Sequence, residues 1–114
     1  MADVWSHGPN VTTMHPIGGR QVGWDEVKAS WENVAEISSE GDVHLEAQNI
    51  QVVGDIAFEV GVEHVSMMLA EKPIRSEIRV TNIYRREDET WKIIHHHSDP
   101  DPAMQKVLSQ AAVT

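Results

Sequence analysis

The sequence has no cysteine, which excludes disulfide staples, thiolate nucleophiles and thiolate metal centres. Positive charge is scarce: nine Lys and Arg stand against eighteen Asp and Glu, for a net charge of -9. Binding to phosphate backbones rests on cationic patches, so nucleic acid is not expected as a partner. No apolar run approaches the ~20 residues of a membrane span, so no membrane partner is expected either. The start Met-Ala-Asp-Val-Trp lacks the basic and apolar regions of a secretory signal, and the expected location is the cytoplasm. Trp5, Trp24, Trp31 and Trp91 lack the basic or Gly-rich interleaving of a base-stacking platform and read mainly as core. What is present is 114 residues, 40% of them hydrophobic, enough for one domain that buries roughly two thirds of its unfolded surface.

A short strand is expected from Val11 to His15, followed by the turn-rich Pro16-Ile17-Gly18-Gly19-Arg20. Trp24, Val27, Trp31, Val34 and Ile37 recur at three- and four-residue steps. They predict a helix that opens on Asp25-Glu26, where the macrodipole favours acids, and stops at Ser38-Ser39-Glu40-Gly41. Val43, Leu45 and Ala47 lie in one strand phase and Ile50 and Val52 in the other, which predicts a bulge near Gln48-Asn49. Strands then follow from Ile56 to Ala70, from Ile74 to Glu87 and from Trp91 to Ser98, joined by tight turns in an antiparallel meander. One helix and four long strands make an α+β fold. The segment 101–114 reads as a tail or a second helix, with proline in its first turn and Met104, Val107, Leu108 and Ala111 in one stripe.

If Ala70 and Pro73 flank one turn and Glu87 and Thr90 the next, Gly61 opposes Asn82 and Asn82 opposes His95. One face then carries Glu63, Val80, Asn82, Tyr84, Ile93, His95 and His97, apolar wall and convergent polar groups together, as in a ligand pocket. His96 points the other way. The opposite face, with Phe58, Val60, Val62, His64, Arg79, Thr81 and Ile83, is apolar enough to predict a homodimer formed sheet against sheet.

Four segments carry a family resemblance: Val11-Thr12-Thr13-Met14-His15-Pro16, Gly19-Arg20-Gln21-Val22-Gly23-Trp24-Asp25, Arg79-Val80-Thr81-Asn82-Ile83-Tyr84-Arg85-Arg86 and Trp91-Lys92-Ile93-Ile94-His95-His96-His97. They resemble the SnoaL-like, ketosteroid isomerase-like branch of the nuclear transport factor 2-like superfamily from about Trp5 to Pro100. The resemblance implies one SnoaL-like domain over 1–114, with its core in 5–100. The implied fold is a curved antiparallel sheet wrapped around helices into a cone with one deep pocket. Members include steroid isomerases, polyketide cyclases, dehydratases, epoxide hydrolases and non-catalytic association domains. The family usually begins with a long helix and a second short one, whereas only residues 2–7 precede Gly8-Pro9-Asn10. The C-terminal stripe is therefore expected to take the place of that helix, or else to dock on a dimer mate or fray.

His95 and His97 are the candidate acid and base, since imidazole titrates near neutrality; hydrogen-bonded structural histidines are the alternative. His15, Trp24, Glu63, Asn82 and Tyr84 are the candidate ligand-binding residues. His15 resembles a pocket-rim position in the family, Glu63 is a carboxylate whose pKa burial would raise, and Asn82 and Tyr84 could polarise a carbonyl. His95-x-His97 on a strand, with His15 or Glu63 as a third ligand, is also a metal-binding arrangement. Its place in the last strand departs from the cupin order, and neither metal nor cofactor is expected. The expected partner is a small hydrophobic ligand. Whether it is transformed by acid-base chemistry, merely bound, or absent from a dimerisation module with a vestigial pocket stays open.

Overall fold

The structure, a computed structural model, describes residues 4–113, without the side chains of residues 40 and 110–113; the expectation for Ala111 lies outside the described side chains. In chain order it contains β1 (Thr12–His15), β2 (Gly18–Val22), α1 (Trp24–Ile37), β3 (Ser38–Val53), β4 (Ile56–Leu69), β5 (Lys72–Glu87), β6 (Thr90–Ser98) and α2 (Pro102–Val113). The strands form one six-stranded sheet in the order β2-β1-β6-β5-β4-β3. It is an α+β fold with a curled sheet, antiparallel throughout except where β1 runs parallel to β6. The turn-rich segment after β1 is itself a short strand that folds back on β1.

α1 forms on the predicted stripe, and Val27 in its first turn is fully buried. It ends four residues before Gly41. Ser38 takes an extended conformation (φ -114°, ψ 148°) and its hydroxyl donates to the Val34 carbonyl at 2.7 Å, so a serine competing for the backbone ends the helix and starts β3 at once. The β3 bulge falls where the phase change predicts it. Ala47 and Gln48 together oppose Gly61, and Ala47 has φ 54°. A Cβ on Gly61 would lie 2.9 Å from Leu45 and 3.1 Å from the Glu46 carbonyl, so the bulge needs glycine opposite it.

Two details of the meander move residues against one another. Leu69 pairs with Lys72 across a loop of Ala70 and Glu71, both at positive φ (48° and 65°), as in a two-residue primed turn. The β4–β5 ladder is thus two residues away from the expected register, and Glu59, not Gly61, opposes Asn82. The β5–β6 turn is as expected, with Asp88 and Glu89 between Glu87 and Thr90. However, Tyr84 pairs with Ile93 while Ile83 pairs with His95, so Ile94 is an extra residue in β6. Beyond it every side chain changes face.

The core has two parts. Trp5, Val11 and Val27 pack with Trp24, Trp31, Ile93 and Ile94 beneath the start of α1. Val65, Leu69, Ile74, Ile78 and Val80 of the concave face pack with Met104 of α2, flanked by Val107 and Leu108. α2 is docked by its approach. Asp101 accepts a hydrogen bond from Ser76 at 2.6 Å, its backbone N–H donates to the Pro16 carbonyl at 2.8 Å, and its own carbonyl receives the Gln105 N–H. The helical reading of the tail is the one observed. Met104→Ala should cost about 2–5 kcal/mol in urea unfolding at neutral pH. An unchanged midpoint would contradict the burial of α2 against the sheet.

Candidate functional site

A cavity of about 310 Å³ lies between the concave sheet face and the two helices. Its walls are mostly apolar: Val34 and Ile37 come from α1, Val65, Leu69 and Ile78 from the sheet, and Met104 from α2. Polar groups enter from four elements: His15 from the end of β1, Trp31 from α1, Glu63 from β4, and His96 and Ser98 from β6. The strands fix their side chains within one face, and β1 beside β6 brings His15 towards His96.

His96 heads a hydrogen-bonded row that runs away from the cavity. Its Nδ1 is 2.6 Å from Asn82 Oδ1, Asn82 Nδ2 donates to Glu59 Oε1 at 3.1 Å, and the Tyr84 hydroxyl donates to the same oxygen at 2.9 Å. Gln48, placed by the bulge, donates to Glu59 Oε2 at 2.8 Å. Because the amide nitrogen of Asn82 serves the carboxylate, its oxygen must accept, so His96 carries its proton on Nδ1. Nε2 is then a lone pair, and Ser98 Oγ, 2.9 Å away, donates to it. Burial, with the neighbouring His15, His95 and His97, lowers the His96 pKa to about 4. Burial alone would raise Glu59, but its hydrogen bonds from Gln48, Asn82 and Tyr84 together hold it below the usual carboxylate range. Tyr84 is pushed up to about 12 by burial and by its bond and proximity to Glu59.

Glu63 and His15, like His96, are shifted towards their neutral forms. Burial, then the charge of Glu59, raises the Glu63 pKa. Burial lowers that of His15, whose Nε2 lies 2.9 Å from Ser30 Oγ. Ser30 gives its hydrogen to the Val27 carbonyl, so His15 Nε2–H is the donor and Nδ1 holds the lone pair. Trp31 meets His15 edge-on at 4.5 Å and lies 5.3 Å from His96, and its buried Nε1–H has no hydrogen-bond partner among the described residues.

The structure brings His15, Glu63, Asn82 and Tyr84 to the concave face, with His15 and Glu63 on the cavity itself. It does not bring His95 and His97 there. The extra residue Ile94 turns both to the convex face, where His95 Nδ1 lies 2.6 Å from Thr12 Oγ1 and the two imidazoles stand 6.1 Å apart, so the expected orientation of the three histidines is inverted. Trp24 is also elsewhere. It stacks on His7 at 4.1 Å and borders a separate depression beside Trp5. His96, Ser98, Glu59 and Trp31 are the residues that sequence reasoning missed. Trp31 and Glu59 had a signal, a helix stripe position and the phase of Glu63, whereas His96 and Ser98 depended on a bulge at Ile94 that tertiary packing decides.

Keeping His96 neutral links stability to pH. The unfolded imidazole takes a proton below about 6.5, while the folded one resists until about 4, so the native state loses stability as pH falls through this window. At about 1.4 kcal/mol per pH unit, the interval corresponds to about 3 kcal/mol. Urea midpoints measured from pH 7 to 4 should fall correspondingly less steeply in His96→Gln than in the wild type. Equal slopes would contradict the buried neutral imidazole.

A sequence profile described as SnoaL-like domain matches residues 1–101. No curated protein matches the chain. Among solved structures, a candidate dehydratase of the nuclear transport factor 2-like family from Streptomyces avermitilis is 24% identical with TM-score 0.73, over 80% of this chain and 65% of that one. The chain thus spans just under two thirds of that protein. A nuclear transport factor 2-like superfamily protein from Salmonella enterica serovar Typhimurium is 19% identical with TM-score 0.75, over 86% and 73% of the two chains. A candidate ketosteroid isomerase from Shewanella frigidimarina is 23% identical with TM-score 0.67, over 82% and 76%. At these identities the likeness is one of fold. The chain has a nuclear transport factor 2-like fold, and with the profile covering nearly all of the described core it belongs to the SnoaL-like family.

Proposed function

We propose that the cavity takes a small, largely hydrophobic carbonyl or hydroxyl compound and moves protons on it, in isomerase, cyclase, dehydratase or hydrolase chemistry without a cofactor, in a reducing cytoplasm that a cysteine-free chain tolerates. One observation carries this reading: a single apolar cavity brings together a carboxyl group biased to keep its proton and two imidazoles biased to lose theirs. An acid and a base whose environments favour their neutral forms can be in working states at one pH. In this reading Glu63 is the acid. His96 is the base through Ser98: the ligand's proton passes to Ser98 Oγ as the serine hydrogen moves to His96 Nε2. Trp31 Nε1–H would donate to the ligand's oxygen, and the His15 Nδ1 lone pair would accept from a ligand hydroxyl. The fold shared with candidate dehydratase and ketosteroid isomerase structures supports the class of protein and leaves the reaction open.

A second reading, a binding module without turnover, is favoured by the engagement of both His96 ring nitrogens with Asn82 and Ser98. In either reading we propose a homodimer through the convex face. There Ile56 and Val60 are 38% and 40% exposed beside the half-buried Phe58, Val62 and Ile83.

Thermal-shift screening against small aromatic and terpenoid ketones and alcohols, followed by turnover of the hits, separates these readings. The enzyme should show a rate that rises as pH passes about 4, where His96 loses its proton, and falls above the raised pKa of Glu63. Glu63→Gln should abolish the alkaline limb and lower the rate by roughly 10²–10⁴-fold with binding retained. Ligands that bind but are never converted would leave the binding module. Absence of binding across the panel would contradict both. Light scattering should give twice the chain mass for the wild type and a smaller value for Val60→Glu; a monomeric wild type would contradict the dimer.

A further inference from the structure

The geometry points to a divalent-metal site of the zinc type on the convex face, built by His44 and Glu46 of β3 with His64 of β4. His44 and His64 are cross-strand partners, and Glu46, two residues after His44, shares their face. Both imidazoles aim the same nitrogen at one carboxylate: His44 Nε2 is 3.0 Å from Glu46 Oε1, and His64 Nε2 is 3.1 Å from Oε2. The two rings stack at 5.1 Å with only 10° between their planes. All three donor atoms lie within 4.8 Å of one another.

Two imidazoles and a carboxylate form a donor set suited to zinc, with a fourth position left for water. Tetrahedral bonds of 2.0–2.2 Å place donor atoms about 3.3–3.6 Å apart, so the two short separations here need to open by a few tenths of an ångström and the widest, no more than 4.8 Å, to close. The imidazoles disfavour Ca²⁺ and Mg²⁺, which take oxygen ligands. A second carboxylate completes the arrangement. Glu77 of β5 pairs across the sheet with His64, and its Oε1 lies 3.5 Å from His64 Nδ1. A proton on that nitrogen would leave Nε2 free for the metal, which is the carboxylate–histidine–metal pattern that fixes a ligand's tautomer. His95 and His97 offer no such convergence. Their rings meet edge-on, and His95 Nδ1 is already engaged with Thr12. A metal held by His44, Glu46 and His64 would cross-link the sheet's edge strand β3 to β4 on the face opposite the cavity.

The test is calorimetric titration of tag-free, chelator-stripped full chain with zinc sulfate alone. The expected result is one Zn²⁺ per chain, with His64→Ala and Glu46→Gln each weakening binding more than about tenfold. The double variant His95→Ala, His97→Ala should bind as the wild type does. Zinc should also raise the melting temperature of the wild type and not of His44→Ala, the stripped proteins having the same circular dichroism. Binding that survives loss of His64 or Glu46, binding that disappears with His95 and His97, or no binding by the wild type would each overturn the site.

Discussion

Ile93 and Ile94 both pack into the cluster of Trp5, Val11 and Val27, and this double insertion governs the face of every residue that follows in β6. A regular strand would send one of the two isoleucines to the convex side. Admitting one extra residue lets both join the core, and the cost is a ladder that slips by one position. His96 and Ser98 then face inward, and His95 and His97 outward. The polar character of the cavity therefore rests on an apolar packing decision made one turn of the pleat earlier.

An inward imidazole in this setting has to be neutral and fully hydrogen-bonded. Asn82 and Ser98 occupy both ring nitrogens, and Asn82 is itself anchored on Glu59. Glu59 stays ionised although buried because Gln48, Asn82 and Tyr84 all donate to it. Its charge is felt at Glu63, whose pKa it raises beyond what burial alone does. The β3 bulge, the Ile94 bulge and the two-residue turn at Ala70-Glu71 converge on this one network. The turn and the Ile94 bulge decide which side chains oppose Asn82, and the β3 bulge places Gln48 on Glu59.

Much of this architecture is legible in the chain. The three- and four-residue spacing of Trp24, Val27, Trp31 and Val34 marks α1, and the phase change after Ala47 marks a bulge, because both are direct records of which side is apolar. The concave assignments of Glu63, Asn82 and Tyr84 survive a two-residue change of register, since an even shift leaves faces unchanged. The histidines do not survive the Ile94 bulge, an odd shift. Nothing in Trp91-Lys92-Ile93-Ile94 states whether both isoleucines are needed inside. That follows only from the tertiary position of Trp5 and Val11, which the meander does not reveal. The end of α1 at Ser38 is hidden for a similar reason: the competing hydroxyl contact wins over the glycine stop farther on.

The fold's two faces thus have different chemistry. The concave face holds shifted groups in an apolar-walled cavity, and the convex face holds two histidine pairs and an apolar strip. Which face owns His96 is the claim on which this division depends. Proton-detected NMR of ring-¹⁵N histidine at pH 6 tests it most directly. The result expected is a His96 ring in the neutral Nδ1–H form with nuclear Overhauser contacts to the Trp31 indole, and no such contacts from His95 or His97. Contacts from His95 or His97 to Trp31, together with a His96 ring exchanging freely with solvent, would contradict it.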